Sequence, residues 1–306
     1  MEKLEILFDF EANNVAWVQL ALTKFDSAIP ELLEDADALF DTFLRSFSQG
    51  ANQDENQREL HSAVLQLQVP GDAVAAVLPQ PAPLEPSRAA AWERGRAAWA
   101  NGMSLRVRGH LLLLSSRCYM FALSDLLRLR LTPVYGHMRL AAEAAVLACL
   151  IREQSALSLE WMGAISDEAG HRFHRAHGRS LARITSECGL DDAYQIGSGK
   201  AMHPRLGSIS MGLAAEVREE RGRRVEEYSL AFHEATPENP REMYLTMVHL
   251  VLTQVKVFAA LARALPEASD EILRQQRLPA FGVEAARVCR RIFYSLRTGP
   301  TGPGNL

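Results

Sequence analysis

Two stretches, "HLLLLSSRCYMFALSDLLRLRL" (residues 110–131) and "YLTMVHLVLTQVKVFAALARAL" (244–265), limit what this chain can fold into more than anything else in it. Both have the length of a bilayer span, yet Arg, Asp, His, Gln or Lys breaks each of them. Such charges are costly in lipid and tolerable at the edge of a packed helix, so the stretches read as buried helices with no membrane involved. Hydrophobic residues make up 48% of 306, enough to fill a sizeable core. The expected fold is all-α, an up-and-down helical bundle with an N-terminal helical extension.

Helix punctuation divides the chain. "SAIPELLEDADALFDTFLRSFSQG" opens on Ser27 and Pro30 and closes at Gly50, giving a helix within an N-terminal segment of residues 1–68. Residues 69–86 carry five prolines and read as an extended linker, since each proline removes a backbone donor. The bundle domain is expected over 87–298. Ser87 caps a helix running almost unbroken to Leu131, with Gly95, Gly102 and Gly109 as possible bends. Thr132–Pro133 starts a second helix over about 133–154, and the short connection makes the two antiparallel neighbours. A third follows Ser166 and stops at Gly189. Alternation of Tyr228, Leu230 and Phe232 suggests one small β-hairpin over about 208–234, with a helical reading of the same residues nearly as good on propensity. Long helices then run from Pro240 to about 265 and over "LPAFGVEAARVCRRIFYSLR". The tail, 299–306, reads as disordered.

A net charge of −4 supplies no overall field for nucleic acid, although 29 of the 33 basic residues are arginine. Cys118, Cys149, Cys188 and Cys289 are far apart in sequence and lack CxxC or zinc spacing, which points to buried thiols in a reducing, cytoplasmic setting with no metal and no cofactor. The N-terminus "MEKLEILFDFEANN" has acidic residues in its apolar stretch and does not read as a secretory signal.

Chemistry concentrates in a few places. "GSGK" fails the phosphate-loop pattern, because Tyr194 stands where a glycine is needed and Ala201 follows Lys200. Arg139 and Glu143 lie four apart on a helix otherwise mostly Ala, Leu and Val. Such a pair reads as a tie between helices, or as a polar site inside the bundle. Arg172, Arg175, Arg179 and Arg183 share one helical face, either solvated or able to hold phosphates. The twelve residues "AYQIGSGKAMHP" (193–204) interrupt the helical pattern. Tyr194, Ser198 and His203 from this break are expected to join Arg139 and Glu143 in one polar, ligand-binding cluster.

The order of these features, an R-x-x-x-E helix with Arg139 and Glu143 and then Tyr194, Ser198 and His203–Pro204, resembles bacterial helical proteins related to the HEPN superfamily over about residues 88–235. One residue more than the family pattern separates serine from histidine. The resemblance implies a HEPN-like binding, interaction or regulatory module, a homodimer, and RNA or a protein as partner. Its alternative implication is a metal-independent ribonuclease-type effector of phage defence or a toxin system. There an arginine would stabilise phosphorane charge while a histidine moves the 2′-hydroxyl proton. Catalytic candidates are Arg139, His203 and the R-x4-H pair Arg172 and His177, although Phe173 replaces the polar residue usual after that arginine and chance alone supplies such spacings.

Overall fold

A computed structural model describes residues 12–13, 15–20, 28–49, 86–164, 166–197, 213–220, 223–230, 241–266 and 277–298. Eight helices are named here: α1 (Ala28–Gln49), α2 (Pro86–Leu127), α3 (Leu131–Glu153), α4 (Leu157–Gly163), α5 (Asp167–Glu187), α6 (Asp191–Gly197), α7 (Arg241–Ala264) and α8 (Arg277–Thr298). Strands β1 (Leu213–Glu220) and β2 (Arg223–Leu230) pair antiparallel, with Leu213 opposite Leu230 and Glu220 opposite Arg223. The fold is an all-α bundle carrying one hairpin, and the hairpin lies within the range its alternation suggests.

Central in the bundle is α3, packed against α2 along its length and against α7, α6 and α5. Ala141, Ala142, Ala144, Ala145 and Ala148 are all buried on it, and their small side chains let the neighbouring helices approach closely. The most apolar helices, α3 and α7, are long and apolar enough to cross a membrane, but most of that surface is turned into the protein. Between them the hydroxyl of fully buried Tyr135 meets Thr246 Oγ1 at 3.0 Å and His249 Nδ1 at 3.2 Å, so the one polar end of that ring is satisfied. Phe40 and Phe43 of α1 reach into the same core. Phe40 lies 4.7 Å from Phe258 of α7, which in turn meets Phe281 of α8 edge to face at 5.4 Å.

Several boundaries differ from those read in sequence. Pro86 is the first residue of α2 and no part of a linker, a position where its missing N–H costs nothing. Helix α2 runs about 63 Å, continuous through Gly95, Gly102 and Gly109. It ends at Leu127, four residues short of the expected Leu131. Leu129 there takes the left-handed conformation (φ 58°), with Leu129 N–H donating to Leu126 O (3.0 Å) and Arg130 N–H to Asp125 O (2.9 Å). That is a Schellman closure with leucine where glycine is usual; full burial of the Leu129 side chain holds it there. Helix α3 therefore begins at Leu131, with Pro133 in its first turn, where N–H groups have no intrahelical acceptor. Ser166 caps α5 through Ala169 N–H, and Gly189 (φ 64°) closes it as the sequence indicates. Residues 69–85 and 299–306, the expected linker and tail, fall outside the described residues.

Candidate binding cleft

The stretch that interrupts the helical pattern begins as a helix. Ala193 to Gly197 belong to α6, and residues 198–204, with Ser198 and His203, fall outside the described residues. Gly197 explains its own identity. A Cβ there would stand 2.7 Å from Arg139 Cβ and 3.0 Å from Tyr135 O, so only glycine lets α6 lie this close to α3. The close approach brings the Tyr194 ring 5.9 Å from the Arg139 guanidinium, within cation–π range.

Arg139 Nε donates to Glu143 Oε1 at 2.7 Å, and the two side chains are 23% and 32% exposed. The pair thus joins Tyr194 as expected but lies on the wall of an open cleft, not inside the bundle. A half-buried pair of this kind falls between the about 0–1 kcal/mol of an exposed pair and the several kcal/mol lost when a fully buried one is broken. The cleft holds about 280 Å³. Leu111 and Leu114 of α2 line it with Leu140, Ala144 and Leu147 of α3, Trp161 of α4, and His174 and Leu181 of α5. Burial, reinforced by the Glu143 charge, raises the Tyr194 pKa well above the usual tyrosine range despite opposing effects of Thr185 and Arg139. Tyr194 accordingly stays a neutral hydroxyl at the cleft wall.

The other candidates are dispersed. Arg172 bonds Glu168 Oε1 at 2.9 Å on its own helix, whereas His177 Nε2 meets Glu160 Oε1 of α4 at 3.0 Å and packs on Phe173. That histidine contact anchors α4, and with it Trp161, beside α5. Arg183 leaves the basic stripe for a ring of charges: it binds Glu153 at 2.6 Å and Glu187 at 2.5 Å, and Arg263 of α7 binds the same two carboxylates at 2.6 and 2.8 Å. Only Arg175 and Arg179 of the stripe are exposed without a carboxylate partner among the described residues, which leaves little of a phosphate-binding face.

Sequence reasoning missed Trp161 and His174 as cleft residues, and it missed an exposed apolar face on α2. Leu113, Leu114, Met120 and Phe121 lie at helical spacing on the solvent side of α2, Phe121 being 50% exposed, and Leu140 of α3 (44% exposed) adjoins them. Phe121 meets the His137 ring at 5.5 Å, so the face continues across both helices to the cleft. A signal was available, because the four leucines 111–114 span most of a helical turn and cannot all point inward. No family model matches this chain, nor does any curated protein or solved structure.

Proposed function

We propose that this chain is an interaction module, a bundle of HEPN-like kind, that pairs with a second copy of itself through the apolar α2–α3 face and its cleft. The observation that carries the reading is that face: four large apolar side chains on one solvent-facing side of α2, continued by Leu140 into a cleft with few polar groups. Contiguous apolar surface bordering a pocket suits a protein partner better than a polyanion. At about 280 Å³ the cleft lies at the lower edge of small-ligand pockets, a size for an anchor side chain. The Arg139–Glu143 pair and the Tyr194 hydroxyl would orient its polar tip.

Light scattering over a concentration series tests this reading. A dimer is expected that Leu140→Glu converts to monomer with unchanged helix content, since a buried carboxylate has no partner there. A monomer at all concentrations would sink it. One observation favours the ribonuclease alternative: Arg139 and His174 line the same cleft. Cleavage of labelled RNA in EDTA, lost in His174→Ala and Arg139→Ala, would establish that alternative, and uncut RNA would dispose of it.

A further inference from the structure

The exposed apolar face of α2 has a charge at its centre. At roughly 100° and 1.5 Å per residue, Leu113, Leu114, Met120 and Phe121 cover an arc of about 120° and a length of about 12 Å. Arg117 stands midway, both along the helix and around it. It is exposed and forms no ion pair among the described residues. Covering this face therefore means covering a guanidinium, which is strongly unfavourable unless a carboxylate meets it. A fitting partner brings apolar side chains to both flanks and a carboxylate to the middle.

The chain carries that carboxylate itself. Glu143 gives Oε1 to Arg139 Nε at 2.7 Å and leaves Oε2 open among the described residues, in the cleft that Leu114 also lines. Ser115 Oγ donates to Ala141 O at 3.5 Å, which sets these two positions level on antiparallel helices. Glu143 is then level with Leu113, about 6 Å along the bundle from Arg117 and within the span of an extended arginine side chain. Asp125, a second carboxylate bordering the face, is held by His137 at 3.3 Å and is 17% exposed, against 32% for Glu143.

Resting on the reading that two copies pair through this face, we infer that their α2 helices cross antiparallel at Arg117, and that Arg117 of each copy binds the open Glu143 oxygen of the other. The pattern is self-complementary: reversing α2 about position 117 lays Leu113 and Leu114 over the partner's Phe121 and Met120. A two-fold axis across the helices keeps both α3 helices on the same side. It therefore brings the partner's Phe121, which leans towards α3 and His137, over the cleft mouth at Leu114. Each cleft is thus closed only by residues of the other copy. The guanidinium at position 117 meets Glu143 while Arg139 keeps its own bond, so both central charges are paired. Leu140 and the four α2 side chains, each about half exposed, leave on the order of 500 Å² of apolar surface per copy. With a polar rim this approaches the roughly 800 Å² per partner of a standard interface.

Charge exchange between two full-length variants tests the arrangement by sedimentation, with circular dichroism to check folding. In its own homodimer, Arg117→Glu sets carboxylate against carboxylate, and Glu143→Arg sets guanidinium against guanidinium. Each variant alone should dimerise at least about a hundredfold more weakly than the wild type. Mixed in equal amounts they should form a heterodimer within about tenfold of wild-type affinity, because both crossings then join opposite charges. Arg117→Cys leaves the cleft unchanged and lies beside the axis, so under mild oxidant it should cross-link to its copy. Arg106→Cys, about three turns away, should not. If the wild type dimerises but the mixture is no tighter than either variant alone, or the Arg117→Cys dimer does not cross-link, self-pairing stands and this arrangement is overturned. A wild-type monomer at every concentration overturns both.

Discussion

Gly197 shows how one missing side chain positions a whole wall of the cleft. Its Cα lies where a Cβ would press on Arg139 Cβ and the Tyr135 carbonyl, neither of which is the far end of a flexible chain. Gly197→Ala should therefore push α6 away from α3. The overlap costs about 1–3 kcal/mol, offset by up to about 1 kcal/mol of helix propensity, for a net loss of about 1–2 kcal/mol in urea unfolding. The same change should withdraw Tyr194 from Arg139, visible as increased tyrosine accessibility to iodination. Wild-type stability with wild-type accessibility would mean that the close approach is not what this glycine serves. The contrast with Gly102, where a Cβ meets nothing within 4 Å, separates a glycine required by packing from one that is not.

At the scale of elements, helix ends decide how the bundle is tied together. The last carbonyls of α7 have no intrahelical donors, and two arginines from other helices supply them: Arg108 of α2 donates to Ala264 O at 2.5 Å, and Arg152 of α3 donates to Arg263 O. Arg108 is buried and also reaches Ser104 O at 3.3 Å, whereas Arg152 is exposed. Arg108→Met should cost about 1.5–3 kcal/mol through lost charge-assisted hydrogen bonds, and Arg152→Met about 1 kcal/mol or less. Thermal unfolding of the two variants side by side checks the order. Equal losses would mean that burial of the donor does not set its worth. Leu129 belongs to this scale too, because the turn between α2 and α3 depends on a leucine held in a conformation that favours glycine.

For the whole molecule, the ring of Glu153, Arg183, Glu187 and Arg263 ties α3, α5 and α7 together at one end of the bundle. Hydrogen bonds from Arg183 and Arg263 hold the Glu153 carboxyl below the usual glutamate range, and Arg263 and Arg183 do the same for Glu187. A depressed carboxylate binds fewer protons in the folded chain than in the unfolded one. Its contribution is therefore present above the ordinary value of about 4.3 and lost as pH falls through the lower folded values. Urea midpoints measured from pH 7 downward should stay level until about pH 5 and then fall. In Arg263→Met the acid fall should be shallower, and added salt should weaken the wild type more than the variant. Parallel curves for the two proteins would show that the ring does not contribute.

Periodicity and punctuation determined the helical class and the ends of α1, α5, α7 and α8, because those features are local: a cap, a terminal glycine and a proline each act within a few positions; alternation suggested the hairpin but left a helix there nearly as good. The pairing of Arg139 with Glu143 was equally legible, being one helical turn long. Tertiary structure alone decided that the pair faces an open cleft, that Trp161 and His174 share it, that Leu129 turns the chain four residues early, and that Arg263 joins Glu153 and Glu187 from two other helices. Each of these depends on which faces of distant helices meet. Spacing along one helix fixes the direction of a side chain about its own axis, but not what stands opposite it.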